Sequence, residues 1–305
     1  MLIATYSRPA ELAIVLQAVS QSACPVDQVV VVDASPPNIQ RQVEMVCADF
    51  RTLPLKYIPS PVASLCHQRN LGKKFLLETD VDYIQVLDDD TSPHAEYIGT
   101  LVKLLDTDSD IVGVAGITET QILNPSALQV LKKVIFWAIG LEAFKPGVVS
   151  RAGCGIAPNP NRTGQTEWLF GCSMWRRSVL ENQDYLDELP GSSLFEDTEF
   201  SLRASRMGKL LVTPEALLLH TLSPVERPNL ELYSYRFSRN RWFVIKAMED
   251  PKAQIWYWLS VLFLSSMFTL KSLLSLGKTE SSEYRRASLA TMKGAVHAFQ
   301  GKPPL

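Results

Sequence analysis

The chain has 305 residues, 46% hydrophobic and 20% charged, which suits one large α/β domain or a domain with an appendage. A formal net charge of −2 indicates no broad basic surface for nucleic acid, although local basic clusters remain. The five cysteines (Cys24, Cys47, Cys66, Cys154 and Cys172) are scattered with no CxxC, which argues against a disulfide framework or zinc knuckle and fits a reducing compartment.

In chain order, "MLIATYSRP" predicts a short first strand that starts almost inside an apolar run, as if truncated. Ser7, Arg8 and Pro9 break that run, so no cleavable signal peptide is expected. "PAELAIVLQAVS" has helical spacing with Pro9 in the first turn. "DQVVVVDAS" is a buried parallel-type strand ending on Asp33. "IQRQVEMVCADF" predicts a helix, "LKYIPSP" a strand and "SLCHQRNLGKKFLLE" a helix. "YIQVLDDD" is the next strand, a helix follows from about Ala95 to Leu105, and "DIVGVAGIT" is a strand whose glycines permit close approach.

Strand and helix alternate through roughly residue 117, the pattern of a parallel sheet covered on both faces. Ligands of such sheets bind beyond the strand C-termini. Thr5, Asp33 and the run Asp88, Asp89, Asp90 all fall there. A helix N-cap or a solvated turn would also account for three aspartates. The sharper reading is a divalent cation held by carboxylate oxygens.

The middle of the chain is less regular. The apolar stretch 134–141 is too short to span a bilayer; a buried helix is expected, with one lying on a membrane as the alternative. "RAGCGIAPNPNRTGQ" is a loop, and "TEWLFGCSMWRRSVL" resumes order. "SLFEDTEFSLRASRMG" runs from a loop into a helix ending at Gly208. "KLLVTPEALLLH" predicts a short strand, a turn and a second strand ending on His220. From about Ser223 the texture becomes aromatic, basic and then apolar. Residues Ile255 to Leu270 carry no charge, Trp256, Tyr257 and Trp258 suit a membrane interface, and Lys271 could snorkel. A membrane-embedded or interfacial helix is expected, with a buried packing helix as the alternative; flanking arginines and lysines on both sides give no orientation.

The pieces "ATYSRPAEL", "VVVVDAS", "CHQRNLG", "VLDDD", "FEDTEFSLRASRMG" and "LLLH" resemble, in order, the family 2 glycosyltransferases over residues 1 to about 245. The resemblance implies a GT-A-type (Rossmann-like) α/β fold, with a mostly parallel sheet, helices on both faces and a hydrophobic helical C-terminal extension. It divides the chain into a transferase domain, 1–245 (nucleotide-binding half 1–117, acceptor and catalytic half 118–245), and a membrane-associated tail, 246–305. It implies an inverting enzyme that moves a sugar from a nucleotide diphosphate-sugar to a hydroxyl of a glycan or lipid-linked acceptor, at the cytoplasmic face of a membrane. UDP is the default nucleotide, with dTDP or GDP as alternatives, and Mn²⁺ or Mg²⁺ is the metal.

By the same resemblance Asp88 faces the ribose and joins the metal site, Asp90 ligates the metal, and His220 completes the set. Asp89 is the middle residue of the run, in the donor site. Asp33 would meet the base, Thr5 and Tyr6 the nucleotide, and Arg69 the diphosphate; otherwise Arg69 is an exposed helix-start residue. Gly171 and Cys172 would lie where the backbone approaches the donor sugar, with Cys172 no nucleophile, and Trp168 could stack on a sugar or be buried. Asp197 is the expected general base, supported by Glu196; an acidic helix N-terminus is the plain alternative. Arg239, Asn240 and Arg241 would meet the diphosphate or lipid headgroups. The pattern is broken by the short first strand, by Ala34 after Asp33, and by about fifty extra residues between "GIT" and "TEWLFG". A nucleotidyltransferase is the first rival, disfavoured because "ATYSRPAEL" has no glycine; a non-catalytic membrane-associated scaffold is the second.

Overall fold

The computed structural model describes residues 1–119, 127–221 and 229–304. The change of texture at Ser223 and the start of the extra segment at 120–126 lie outside the described residues. The chain forms two compact units. The first comprises 1–123, 158–193 and 203–225, and the second 124–157, 194–202 and 226–305.

The first unit holds the sheet. Its strands are β1 (Leu2–Thr5), β2 (Val29–Asp33), β3 (Leu55–Pro59), β4 (Tyr83–Asp88), β5 (Thr91–Pro93), β6 (Ile111–Thr118), β7 (Gly164–Thr166), β8 (Ser173–Arg176) and β9 (Lys209–His220). They lie in the order β3-β2-β1-β4-β8-β6-β9-β5, with β7 also on β9. β1 pairs in parallel with β2 and β4, β2 with β3, and β6 with β9. β5, β7 and β8 run the other way, so the sheet is mostly parallel with antiparallel insertions. The parallel strands carry continuous apolar runs because both faces are covered. Ile3, Val29 and Val31 pack with helices α1 (Pro9–Ser20), α2 (Pro37–Asp49) and α4 (Tyr97–Asp106). On the opposite face Leu2 and Val32 meet α3 (Leu65–Leu77), where a Cβ on Gly72 would lie 2.1 Å from a Leu2 methyl.

"KLLVTPEALLLH" is one strand, not two. The expected turn at Thr213–Ala216 is absorbed as a bulge, since Ala115 pairs with Val212 and Ile117 with Leu217. Gly116 lies under that bulge, where its missing side chain lets the Ala216 carbonyl pass.

The second unit is helical: α5 (Ala127–Ala138), α8 (Leu230–Met248), α9 (Pro251–Leu274) and α10 (Thr279–Phe299). α7 (Glu196–Ala204) begins here and ends in the first unit, which also holds α6 (Arg177–Asn182). α8 packs on α9 and α10 through Trp242, Ile245, Tyr257, Val261 and Ala295, so residues on both sides of 246 share one core. α5 is not the buried helix expected: Leu131, Val134, Ile135 and Trp137 are exposed, while Phe136 alone among these turns inward. Apolar spacing marks a helix face but does not supply an element to cover it.

Gly116→Ala is expected to cost about 1–3 kcal/mol in urea unfolding, because a methyl there would lie 2.1 Å from a backbone oxygen that cannot yield cheaply. Gly164→Ala, in open space, should stay within about 0.5 kcal/mol of the parent.

Candidate active site

The C-terminal ends of β1 and β4 lie side by side, with Ala4 opposite Asp88. Their register brings the loop after β1 against the aspartate run. Thr5 Oγ1 donates to Asp89 Oδ2 at 2.7 Å. Arg8 Nη1 donates to Asp89 Oδ1 at 2.8 Å and lies 3.4 Å from Asp90 Oδ2. On the far side, Thr91 opposes His220 in the β5–β9 pairing, and Thr221 N donates to the Asp90 carbonyl at 2.9 Å. That pairing sets His220 Nε2 3.2 Å from Asp90 Oδ1.

Asp88 meets a different cation. Arg69 Nη2 donates to its Oδ1 at 2.9 Å, and lies 3.4 Å from the Gly171 carbonyl and over the Tyr185 ring. Arg69 is buried, against the exposed-arginine alternative. A Cβ on Gly171 would meet Asp88 Oδ2 at 3.0 Å and Arg69 Nη2 at 3.1 Å, so the backbone packs closely against these two side chains. Cys172 is buried beneath: its sulfur accepts from Asp88 N at 3.4 Å, and burial pushes its thiol well up, which suits packing and not nucleophilic attack.

Asp88 and Asp89 are each held by an arginine, and Asp90 by His220 with Arg8 beyond it; the three differ in burial. Asp89 is the buried member; desolvation pushes it up to about 6, against the opposing pull of Arg8 and Thr5. The hydrogen bond to Asp90 raises His220 above its ordinary value. Asp90 and His220 together present an oxygen and a nitrogen 3.2 Å apart, close to the edge of an octahedron with bonds of about 2.1 Å. Among the described residues no group of three or more His, Cys, Asp or Glu side chains is arranged to hold a metal. A pair nevertheless fits an ion that takes its remaining ligands from phosphates and water.

Asp33 stands apart. It is fully buried, and its carboxylate accepts from Ser35 N at 2.8 Å, from the Ser35 hydroxyl, and from Tyr57 OH at 3.0 Å. Ser35 Oγ also accepts from Ser7 N at 2.8 Å, in a turn where Ser7 has φ 58°. So Asp33 braces the loop after β1, and a nucleotide base could reach it only if Ser35 or Tyr57 moved. Tyr6 is half-buried in that loop. Trp168 is half-buried in the first unit.

Glu196 and Asp197 belong to the second unit, in the first turn of α7. Glu196 is buried and Asp197 half-buried, with Asp197 Oδ1 accepting from Thr198 N at 2.6 Å. Ser193 (φ 50°) and Phe195 (φ 73°) place two left-handed, non-glycine residues just before this turn, a concentration of strain usual at functional loops. Arg239, Asn240 and Arg241 are buried inside the helical unit, Arg241 on Ser260 and Asn240 on the Leu194 carbonyl, so neither arginine is exposed to lipid headgroups.

Two contributors escaped the sequence reading. Arg8 gave the signal of a basic residue before a helix, but its partners are 81 and 82 residues away. Gln68 bonds the carbonyls of Thr5 and Val32, both at 2.8 Å, and so ties the ends of β1 and β2. It sits in the quoted "HQRN", one residue before Arg69.

The carboxylate cluster lies at the C-terminal edge of a doubly covered, mostly parallel sheet, where such sheets bind their ligands. Residues 1–141 match the glycosyl transferase family 2 model. That match covers a little under half of the chain, and the fold of the whole is of the GT-A type, as the following solved structures show. The mannosyltransferase PcManGT from Pyrobaculum calidifontis, solved with GDP-Man and Mn²⁺, is similar in fold: TM-score 0.58, 14% identity, 99% of this chain and 86% of that one. TarS 1-349 from S. aureus gives TM-score 0.54 at 14% identity, over 99% and 91% of the two chains. GalNAc-T7 with UDP, GalNAc and Mn²⁺ gives 0.60 at 13% identity, over 100% and 57%. No curated protein matches the chain by sequence.

Arg8→Ala leaves the buried Asp89 carboxylate without its guanidinium, and should cost about 3 kcal/mol or more in urea unfolding. Asp89→Asn in the same background should recover part of that loss; strictly additive losses would dismiss the pair as a stabilising unit. A thiol reagent under native conditions should titrate the half-buried Cys24 and Cys154, while Cys47, Cys66 and Cys172 react only after unfolding.

Proposed function

We propose that this chain is a divalent-metal-dependent, inverting glycosyltransferase. It moves a sugar from a nucleotide diphosphate-sugar to a hydroxyl of a glycan or lipid-linked acceptor at the cytoplasmic face of a membrane. The observation that carries this reading is the Asp90–His220 pair beside the Asp88–Arg69 pair at the strand C-termini.

Asp90 and His220 hold the ion, with Asp88 beside them turned toward the ribose. A histidine donor favours Mn²⁺ over Mg²⁺. When bound, the ion supplies Lewis-acid neutralisation of the diphosphate. Arg69, already within the site, adds a fixed positive charge for the leaving group. Asp197 takes the proton from the acceptor hydroxyl as that oxygen forms the new bond to the anomeric carbon. The bond from that carbon to the diphosphate oxygen breaks, its electron pair leaves with the nucleoside diphosphate, and the configuration inverts. Glu196 supports Asp197. Gly171 lets the backbone come close to the donor.

UDP is the default nucleotide, and dTDP or GDP are the alternatives. The solved relatives with UDP and with GDP-Man support a nucleoside diphosphate but do not choose among them. Mn²⁺ in PcManGT and GalNAc-T7 supports a divalent ion. The 24-residue apolar helix α9 supports membrane contact.

Nucleotide-sugars incubated with the purified chain in Mn²⁺, Mg²⁺ or EDTA test this. One donor should be consumed only with metal. Asp90→Ala should lose metal-dependent donor binding, and Asp197→Asn should keep donor affinity while turnover falls about 100-fold or more. Turnover undiminished in EDTA would remove the metal from the mechanism, and an Asp197→Asn enzyme near the parent rate would remove the base.

A further inference from the structure

α9 is long and apolar enough to cross a membrane, so length alone does not say whether it does. Its two faces do. One face is fastened to its neighbours by polar bonds along its whole length. Tyr257 OH donates to the Ser238 carbonyl at 2.9 Å, and Arg241 Nη2 donates to Ser260 Oγ at 2.8 Å. Ser265 and Thr269 each lie 2.9 Å from the Ser288 hydroxyl, and Ser272 donates to the Ser281 carbonyl at 2.8 Å. The opposite face carries Ile255, Leu259, Leu262, Leu270 and Leu273, spaced to form one stripe, all exposed; Leu262 shows 52% of its surface and Leu273 58%.

α5 adds a second uncovered face. Leu131, Val134, Ile135 and Trp137 are exposed, and Phe144 beyond the helix lies 5.6 Å from Trp137. α5 is clamped to α9 by the edge-on pair Phe136–Phe263 and by Arg151, whose guanidinium sits over both Trp137 and Trp256. Charge follows the same division. The helical unit has sixteen basic and ten acidic residues, a net +6, while the sheet unit has fourteen and twenty-two, a net −8. Exposed lysines stand in α5 (Lys132, Lys133) and at the ends of α9 (Lys252, Lys271).

We propose that α5 and α9 form an in-plane platform that docks the helical unit on the surface of a bilayer bearing anionic headgroups, with α9 lying along the interface and not crossing it. Crossing would carry α8 and α10, with buried Arg241 and exposed Glu283, Arg285, Arg286 and Lys293, into hydrocarbon. An interfacial helix needs one apolar face and a basic surround, and both are present. The inference rests on the helical unit alone and stands whether or not the catalytic reading does.

The test is flotation of the full chain with phosphatidylcholine vesicles, with and without phosphatidylglycerol. The chain should float with the anionic vesicles, detach in high salt and in alkaline carbonate, and remain monomeric in their absence. Leu259→Glu/Leu262→Glu should lower vesicle affinity by about tenfold or more. Val134→Glu/Ile135→Glu, on the other helix, should do the same. The urea-unfolding midpoints and far-UV circular dichroism of both variants should match the parent's, which reports folding without reference to catalysis and so separates this result from any failure of the transferase reading. If a variant does not fold, Leu262→Cys in a Cys24→Ser/Cys154→Ser background, labelled with an environment-sensitive dye, gives the same answer: its emission should shift to the blue on anionic vesicles and be quenched by shallow lipid labels. Carbonate-resistant binding with the two ends of α9 on opposite sides overturns the in-plane reading. So does parent-level binding by both variants, or a concentration-dependent dimer that the glutamates dissolve.

Discussion

Three adjacent carboxylates at the end of β4 are unstable as a group unless a positive or hydrogen-bonding partner meets each of them. That constraint organises the sheet unit. Arg69 reaches Asp88 from α3, Arg8 reaches Asp89 from the loop after β1, and His220 reaches Asp90 from β9. No single segment could supply all three. The parallel register of β1 with β4 and the antiparallel register of β5 with β9 are what bring them in. Much of the surrounding structure serves that alignment: Gln68 fastens the ends of β1 and β2, and Asp33 with Ser35 holds the turn that carries Arg8.

The arrangement also divides labour within one run of like residues. Asp89 is enclosed, and its carboxylate is spent on Arg8 and Thr5. Asp88 keeps about a third of its side chain open, and Asp90 turns one oxygen to His220. The middle aspartate therefore acts as a brace, while Asp88 is the member whose carboxylate stays partly open. This gives physical content to the middle place that the resemblance leaves Asp89 in the run.

What was legible followed from local pattern. The valine run of β2, the helix after Pro9, and the aspartates at a strand end all appear as expected because each depends on neighbours in sequence. What was not legible depended on distant partners. Nothing around Arg8 announces Asp89, and nothing in "VVVVDAS" says that Tyr57, on β3, will close over Asp33. The proline in "KLLVTPEALLLH" signals a turn, yet Gly116 on the adjacent strand makes room for a bulge instead. α5 shows the same limit in reverse: its apolar spacing was read correctly as a helix, but whether anything lies over it is a property of the rest of the fold.

α9 shows how the two kinds of information combine. By composition it passes for a spanning helix, and its aromatic start fits that reading equally well. The serines and threonine along it look, in sequence, like mild interruptions of an apolar segment. In the fold they are its attachment points: Ser260, Ser265, Thr269 and Ser272 meet partners on α8 and α10, and Ile255, Leu259, Leu262, Leu270 and Leu273 face away. Ser260 and Thr269 also bond back to carbonyls within α9, whereas Ser265 and Ser272 find their partners on α10, so the sorting is kept only while α10 stays beside it. Those neighbours carry charges that hydrocarbon does not tolerate. The amphipathic sorting, invisible to an average over the segment, is therefore the feature that separates lying on a membrane from crossing one.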